Sequence, residues 1–384
     1  MSSRPIYLDY NATTPIDRQV AEAMTPYLYE EFGNPSSPHP YGVTASRAVE
    51  LARRQVSGLL GCRSAELVFT SGGTESNNMA IKGVAAACKK DVHFITSAIE
   101  HPAVLEPCEY QGSLGHRVTI LPVDSYGRVD PAEVEKAITA EMTLVSIMHA
   151  NNEVGTIQPI AEIATVAHKL GALVHTDAAQ SVGKIPVRVD DLGVDLLTLA
   201  GHKLYAPKGV GALYIRDRVR LSKFMHGASH ERNRRAGTEN VAGIVGLGKA
   251  AAIAGRELSD TPGTASHLRR MRDRLWDGLS ARLAELLLNG HPDERLPNTL
   301  SVGFRGIKAD DLLYELWDQV AVSAGAACHS EGVTISAVLQ AMAVPPEYAM
   351  GTLRFSTGRF TSAQEIERAI DAVVAAVNCA ERTG

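Results

Sequence analysis

Between residues 67 and 215 the chain repeats one pattern: a short apolar run, a turn, then a stretch with helical spacing. The runs are Leu67–Thr70, Val92–Thr96, Val118–Leu121, Leu144–Met148, Leu173–Thr176, Leu196–Leu199 and Ala212–Ile215. Seven strands interleaved with helices predict an α/β fold built on a mainly parallel, doubly wound sheet. Open sheets of this kind bind ligands beyond the carboxyl ends of their strands, so polar residues following each run are the first candidates for function.

Near Glu257 the pattern breaks. The segment from Leu258 to Ala265 is rich in turn formers and precedes a long amphipathic helix, expected from His267 to Leu288. Further strands are expected at Thr299–Phe304, Val320–Ser323 and Thr352–Ser356. A final helix should open at Ser362 and Glu365, a capping box ahead of Ile366, Ile370, Val373 and Val377. The expected division is a large domain over 15–256 and a smaller α/β domain formed by 1–14 and 257–384. A chain of 384 residues with 45% hydrophobic content can supply both cores.

A net charge of −5 and a pI near 6.2 give no footprint for nucleic acid or an anionic membrane. The opening MSSRPIYLDY has no apolar signal core, and no run reaches the roughly 18 apolar residues of a membrane span. A cytoplasmic protein without direct nucleic-acid or membrane partners is expected. The five cysteines are scattered without a CxxC pair, so neither a disulfide framework nor a metal site is indicated.

Chemistry collects at the strand ends. Leu173–Thr176 runs into Asp177-Ala178-Ala179-Gln180, and Leu196–Leu199 into Ala200-Gly201-His202-Lys203. An amine that can form a Schiff base, next to an acid that can keep a pyridinium nitrogen protonated, are the two groups a pyridoxal phosphate (PLP) enzyme requires. After Leu67–Thr70 comes Ser71-Gly72-Gly73-Thr74, a glycine turn opening a helix, where free N–H groups and the helix dipole favour an anion. Glu100-His101-Pro102 ends the next strand, and His101 could cover one face of a planar ring. Asn151-Asn152-Glu153 brings polar groups to the same edge, and Arg354, on a late strand, could hold a carboxylate by two bonds. Cys328 lies in a segment of small residues, Ser323 to Ser330, which should be flexible and partly exposed. A thiol so placed beside a cofactor is a nucleophile candidate.

Taken in order, Tyr7–Pro15, Gly33–Ser37, Thr70–Ser76, Glu100–Pro102, Asn151–Gly155, the Asp177 and Lys203 motifs, Arg235–Asn240 and Arg354–Ser356 resemble the cysteine desulfurases of the NifS/IscS type. The resemblance implies a fold-type I PLP enzyme and a homodimer. It implies Lys203 as the Schiff-base lysine, Asp177 as the partner of the ring nitrogen, and His101 as the stacking residue and acid/base. Gln180 would bond the ring hydroxyl. Gly73, Thr74 and His202 would hold the phosphate, joined by Thr238 from the other subunit. Asn152 and Arg354 would bind the carboxylate of L-cysteine, and Cys328 would take its sulfur as a persulfide. The thiol needs a base, with His101 the first candidate and His329 a second. The interval between Cys328 and Arg354 resembles the long-loop branch, in which the cysteine moves from the cofactor to a sulfur-acceptor protein. Iron–sulfur assembly, tRNA or cofactor thiolation and DNA phosphorothioation are the acceptor pathways such enzymes serve.

Two positions depart from the family's pattern. Ala200 stands where a serine usually adds a phosphate contact, and His329-Ser330 follows the cysteine where Thr-Ser is more usual. Both give a local likeness to selenocysteine lyases. The rival readings are therefore a selenocysteine lyase, a class V aminotransferase in which Cys328 is incidental, and a non-catalytic sulfur-relay scaffold.

Overall fold

The computed structural model describes residues 4–139, 142–260, 263–329 and 332–383. Seven strands form the main sheet in the order Leu67–Thr70, Gly211–Ile215, Leu196–Ala200, Leu173–Asp177, Met142–Ser146, Val92–Ser97 and Arg117–Leu121. Gly211–Ile215 runs antiparallel to both neighbours, and the other pairings are parallel. Apart from the edge strand Arg117–Leu121, the sheet is buried on both faces because consecutive residues feed different cores. Phe69, Ile95, Val145 and Tyr214 pack on one side, Val68, Phe94, Leu144 and Leu213 on the other.

A second sheet, fully antiparallel, has the order Ser323–Ala324, Thr352–Ser356, Thr299–Phe304, Leu286–Asn289. It shares an apolar cluster with helices Thr264–Ser280, Ala309–Leu316 and Ala363–Thr383, through Leu275, Leu312, Phe355 and Val373. Ile6–Tyr7 joins this part of the molecule by pairing with Val320–Ala321. The capping box opens the last helix as expected: Ser362 N–H donates to Glu365 Oε2 at 2.8 Å, and Glu365 N–H to Ser362 Oγ at 3.2 Å.

Four expectations are corrected. The helix expected from His267 to Leu288 ends at Ser280, and Leu286–Asn289 is a strand paired with Thr299–Phe304. An apolar triplet satisfies either period, and here a partner strand decides; Glu285, at φ 53°, turns the chain into that strand after the helix has ended. The strand expected at Leu144–Met148 runs from Met142 to Ser146. The single strand expected at Val320–Ser323 is two short strands serving different sheets. The segment around Cys328 is a hairpin rather than an open loop, with Ala326–His329 paired to Gly332–Ile335 and Cys328 opposite Val333. Among the described residues no helix is long and apolar enough to cross a membrane.

Candidate active site

The carboxyl ends of Leu67–Thr70, Val92–Ser97, Met142–Ser146, Leu173–Asp177 and Leu196–Ala200 converge on a cavity of about 400 Å³. Gly73, Thr74, His101, Asn152, Asp177, Gln180, His202, Lys203 and Arg354 all line it. Two wider surface clefts, about 660 and 730 Å³, gather no comparable set of groups.

Lys203 sits on a short turn after the strand Leu196–Ala200, and its amine donates to the carbonyls of Asn11 and Ala12. Burial pushes that amine down to about 8, and Arg354 adds to the effect against the pull of Asp9 and Asp177. Asp177 ends its strand buried, with Oδ2 accepting from Asn77 Nδ2 at 2.7 Å and Oδ1 from the Ala179 N–H at 2.9 Å. Both bonds hold the carboxylate facing the cavity. Asn77 Oδ1 is buried without a partner, so the amide retains an acceptor there.

His101 is the N-cap of helix Pro102–Ser113, its Nδ1 accepting the Ala103 N–H at 3.0 Å. Burial holds the ring below its ordinary value; Lys203 adds to this and Asp177 opposes it. A neutral ring whose Nδ1 is an acceptor carries its proton on Nε2. His101 as placed is therefore a hydrogen-bond donor at Nε2. Beside it, burial raises Glu100 to about 8 although Ser97 Oγ and the Met148 N–H both bond it.

Gly72, at φ 151°, makes the turn that starts helix Gly73–Ala87 at the cavity wall. With Gly73 and Thr74 at its first turn, the helix presents unpaired N–H groups. His202 is pushed down to about 4, by burial and then by Lys203 and Lys208, so it is neutral at physiological pH. Ala200 lines the cavity without a polar group, and a Cβ built on Gly73 would stand 3.4 Å from its methyl.

Arg354 is not free to swing. Nη2 donates to Asp9 Oδ1 at 2.7 Å and Ser323 Oγ at 2.9 Å, and Nη1 to the Asn152 carbonyl at 3.0 Å. Thr238 lies outside the cavity of its own chain, in a separate cleft with Ser71, Gly209 and Arg235. The side chains of Cys328 and His329 lie outside the described part of the structure, as does Ser330.

Sequence reasoning missed Asn11, Ala12, Asp9 and Asn77 as site groups. The first three stand in the Tyr7–Pro15 motif, whose contribution is to carry carbonyl oxygens to Lys203 and a carboxylate to Arg354. Asn77 follows Thr74 by one helical turn, the spacing that puts two side chains on one face.

The arrangement can hold an aldehyde cofactor with an anionic arm: an amine of lowered pKa for the covalent bond, a buried acid, an imidazole on the cavity wall and a helix N-terminus. Comparison with known proteins agrees. The family description "Aminotransferase class-V" matches residues 6–369. The cysteine desulfurase IscS of Dictyoglomus turgidum is 48% identical over 370 residues, covering 96% of this chain and 93% of that protein. A NifS-like protein of solved structure superposes with a TM-score of 0.91 at 38% identity, over 98% of this chain and 100% of that one. The structure of SspA in complex with cysteine gives 0.81 at 35%, over 94% and 100%. With matches of this quality spanning nearly every residue, the chain belongs to the class V aminotransferase family and, within it, to the PLP-dependent cysteine desulfurases of the NifS/IscS type.

Proposed function

We propose that this enzyme removes sulfur from L-cysteine, yielding L-alanine and a persulfide on Cys328 that passes to an acceptor protein. The observation carrying this is the convergence of Lys203, Asp177, His101, Gln180, Asn152 and Arg354 on one cavity. PLP, when bound, supplies the electron sink that stabilises carbanions on the substrate.

Each residue then has its task. The Lys203 amine, partly neutral at physiological pH, anchors the cofactor and, once displaced by substrate, carries the α-proton. Asp177 keeps the ring nitrogen protonated. His101 covers the ring face, donates a hydrogen bond through Nε2–H and serves as the acid/base group, taking up a proton before giving one. Gln180 donates to the ring oxygen, and Gly73, Thr74 and His202 hold the phosphate. Arg354 and Asn152 orient the substrate carboxylate, for which Arg354 must share or exchange its bond to Asp9. Cys328 attacks as thiolate at the substrate Sγ; the Cβ–Sγ bond breaks and its electron pair stays with carbon, which takes a proton. A free thiol has a pKa of about 8.5, so a few per cent is ionised at neutral pH.

The reading includes a homodimer. Leu28, Tyr29, Phe32 and Tyr41 are exposed on one N-terminal stretch, Phe32 stacked on Tyr41 at 5.4 Å between ring centroids, which is apolar surface suited to a second copy. The position of Thr238 outside its own cavity fits a role across that interface. In the proposed division, 15–256 forms the cofactor domain, and 1–14 with 257–384 forms the domain carrying the Cys328 hairpin.

Cys328→Ser tests the central step. The variant should bind PLP and show the spectral change on adding L-cysteine, yet lose sulfide release, because a hydroxyl is a far poorer nucleophile. Mass spectrometry of the wild type after brief exposure to L-cysteine should find one added sulfur on the Cys328 peptide. Release at the wild-type rate by the variant would falsify the persulfide step. Ala200, placed in the cavity wall, keeps the selenocysteine lyase reading as the alternative. A Cys328→Ser variant inactive on L-cysteine yet fully active on L-selenocysteine would put that reading ahead.

A further inference from the structure

Behind the cavity wall, on the turn that follows Asp177, a second lysine is buried. The Lys184 amine lies between two uncharged oxygens, donating to Gln180 Oε1 at 2.9 Å and to Asn11 Oδ1 at 3.3 Å. Burial without a counter-charge holds it well below its ordinary value, and Lys203 and Arg354 push the same way. The amine has protons for both acceptors.

The consequence falls on Gln180. The oxygen and the NH2 of a glutamine amide have nearly the same shape, so hydrogen bonds alone decide which of them faces the cavity. Lys184 donates to the oxygen. The Asn11 carbonyl, which can only accept, takes the NH2 at 3.0 Å. One Nε2 proton is thereby used, and the other is left on the side of the cavity that Gln180 lines. Asn11 ties this to the rest of the site: its carbonyl also accepts from Lys203, its Oδ1 from Asn298 at 3.0 Å, and its Nδ2 donates to the Asn152 carbonyl at 3.1 Å. It is fully buried, so the hub cannot relax toward solvent.

We propose that Lys184 is a positioning residue of the cofactor site: by donating to Gln180 Oε1 it fixes the amide with its NH2 toward the ring oxygen of PLP. The inference rests on the role given to Gln180 above. With methionine at 184, Oε1 becomes a buried acceptor without a donor, and the amide, held only through its bond to the Asn11 carbonyl, loses one of the two contacts that fix its position. A donor then leaves the ring oxygen, and the ring's protonation follows. The titratable and charged groups around Lys184 and the cavity are Lys203, Arg354, Asp9, Asp177, His101 and His202. All of them are unchanged in the variant.

The test is the pH midpoint of the visible absorbance change of the PLP-loaded protein, with the PLP dissociation rate as second readout. Lys184→Met should move the midpoint by about one pH unit or more, and Gln180→Leu should move it in the same direction by a similar amount. The double variant should go no further than either, because the two side chains act as one device. A Lys184→Met midpoint equal to that of the wild type, or a double-variant shift equal to the sum, overturns the proposal. Should Lys184→Met not fold, Lys184→Gln, which keeps a donor, is measured instead. A wild-type midpoint supports the proposal, and a shift as large as that of Gln180→Leu overturns it. Borohydride reduction of the wild type, which should place a pyridoxyl group on Lys203, tests the site assignment separately.

Discussion

In the proposed function the Lys203 amine is the group that takes up the cofactor, and its protonation state sets how readily it does so. An amine attacks an aldehyde only when neutral. With its pKa at about 8 rather than the ordinary 10.5, its neutral fraction at pH 7 is about 10%, a few hundred times that of a free lysine. PLP uptake by cofactor-free protein, followed by stopped-flow absorbance, should therefore accelerate with pH and level off above about 8. Arg354→Ala removes a cation that lowers this pKa, so the midpoint should move upward. A wild-type midpoint near that of an ordinary lysine would show that burial does not lower the pKa of this amine. The same residue scale explains Arg354, which the sequence offered as a carboxylate ligand and the structure binds to Asp9 and Ser323. Spacing along the chain gave no sign of that partnership, since Asp9 is 345 positions away.

At the scale of elements, His101 serves both as helix cap and as cavity group. The two roles separate by substitution. Asparagine is a good N-cap and alanine a poor one, so His101→Asn should be more stable than His101→Ala by about 1 kcal/mol. Both should lose activity, because neither keeps the ring. Chemical denaturation and turnover measured on the same samples check this. A second element-scale device holds the segment before Thr238. Glu231, Arg232 and Asn233 all have positive φ, a run that non-glycine residues rarely adopt. It is held by Glu231, which takes two bonds from Arg53, at 2.7 and 2.8 Å, and one from the Phe69 N–H at 2.9 Å. Removing one partner of such a buried pair costs about 3–5 kcal/mol, the loss expected for Glu231→Gln in urea. An unchanged midpoint would mean the run is stable by itself.

For the whole molecule, the sharpest test is complementation between copies. If Thr238 serves the neighbouring subunit, a dimer of one Lys203→Ala chain and one Thr238→Ala chain contains one intact site and one doubly defective site. Random re-pairing makes about half of the dimers mixed, so activity should recover to about a quarter of wild type. Mixtures no better than the average of the two parents would place Thr238 in its own chain's site or in none.

Strand positions and the ligand-bearing edge were legible in the sequence because short apolar runs separated by helical spacing admit one kind of sheet. That Lys203, Asp177, His101 and Gln180 gather at that edge was legible too, since each residue closes or follows such a run. Elements outside that rhythm were not. Leu286–Asn289 became a strand because Thr299–Phe304 offered it hydrogen bonds, and Ser323–Ala324 left Val320–Ala321 for another sheet for the same reason. The sequence by itself determined the fold class and the set of polar side chains at the ligand-bearing edge, both fixed by local pattern and residue chemistry. Only the tertiary structure decided which of them touch: that Asn11 gathers Lys203, Gln180 and Lys184, and that Asp9 holds Arg354. Those contacts join segments distant along the chain, where pairing is set by packing and by the need of each buried polar atom for a partner.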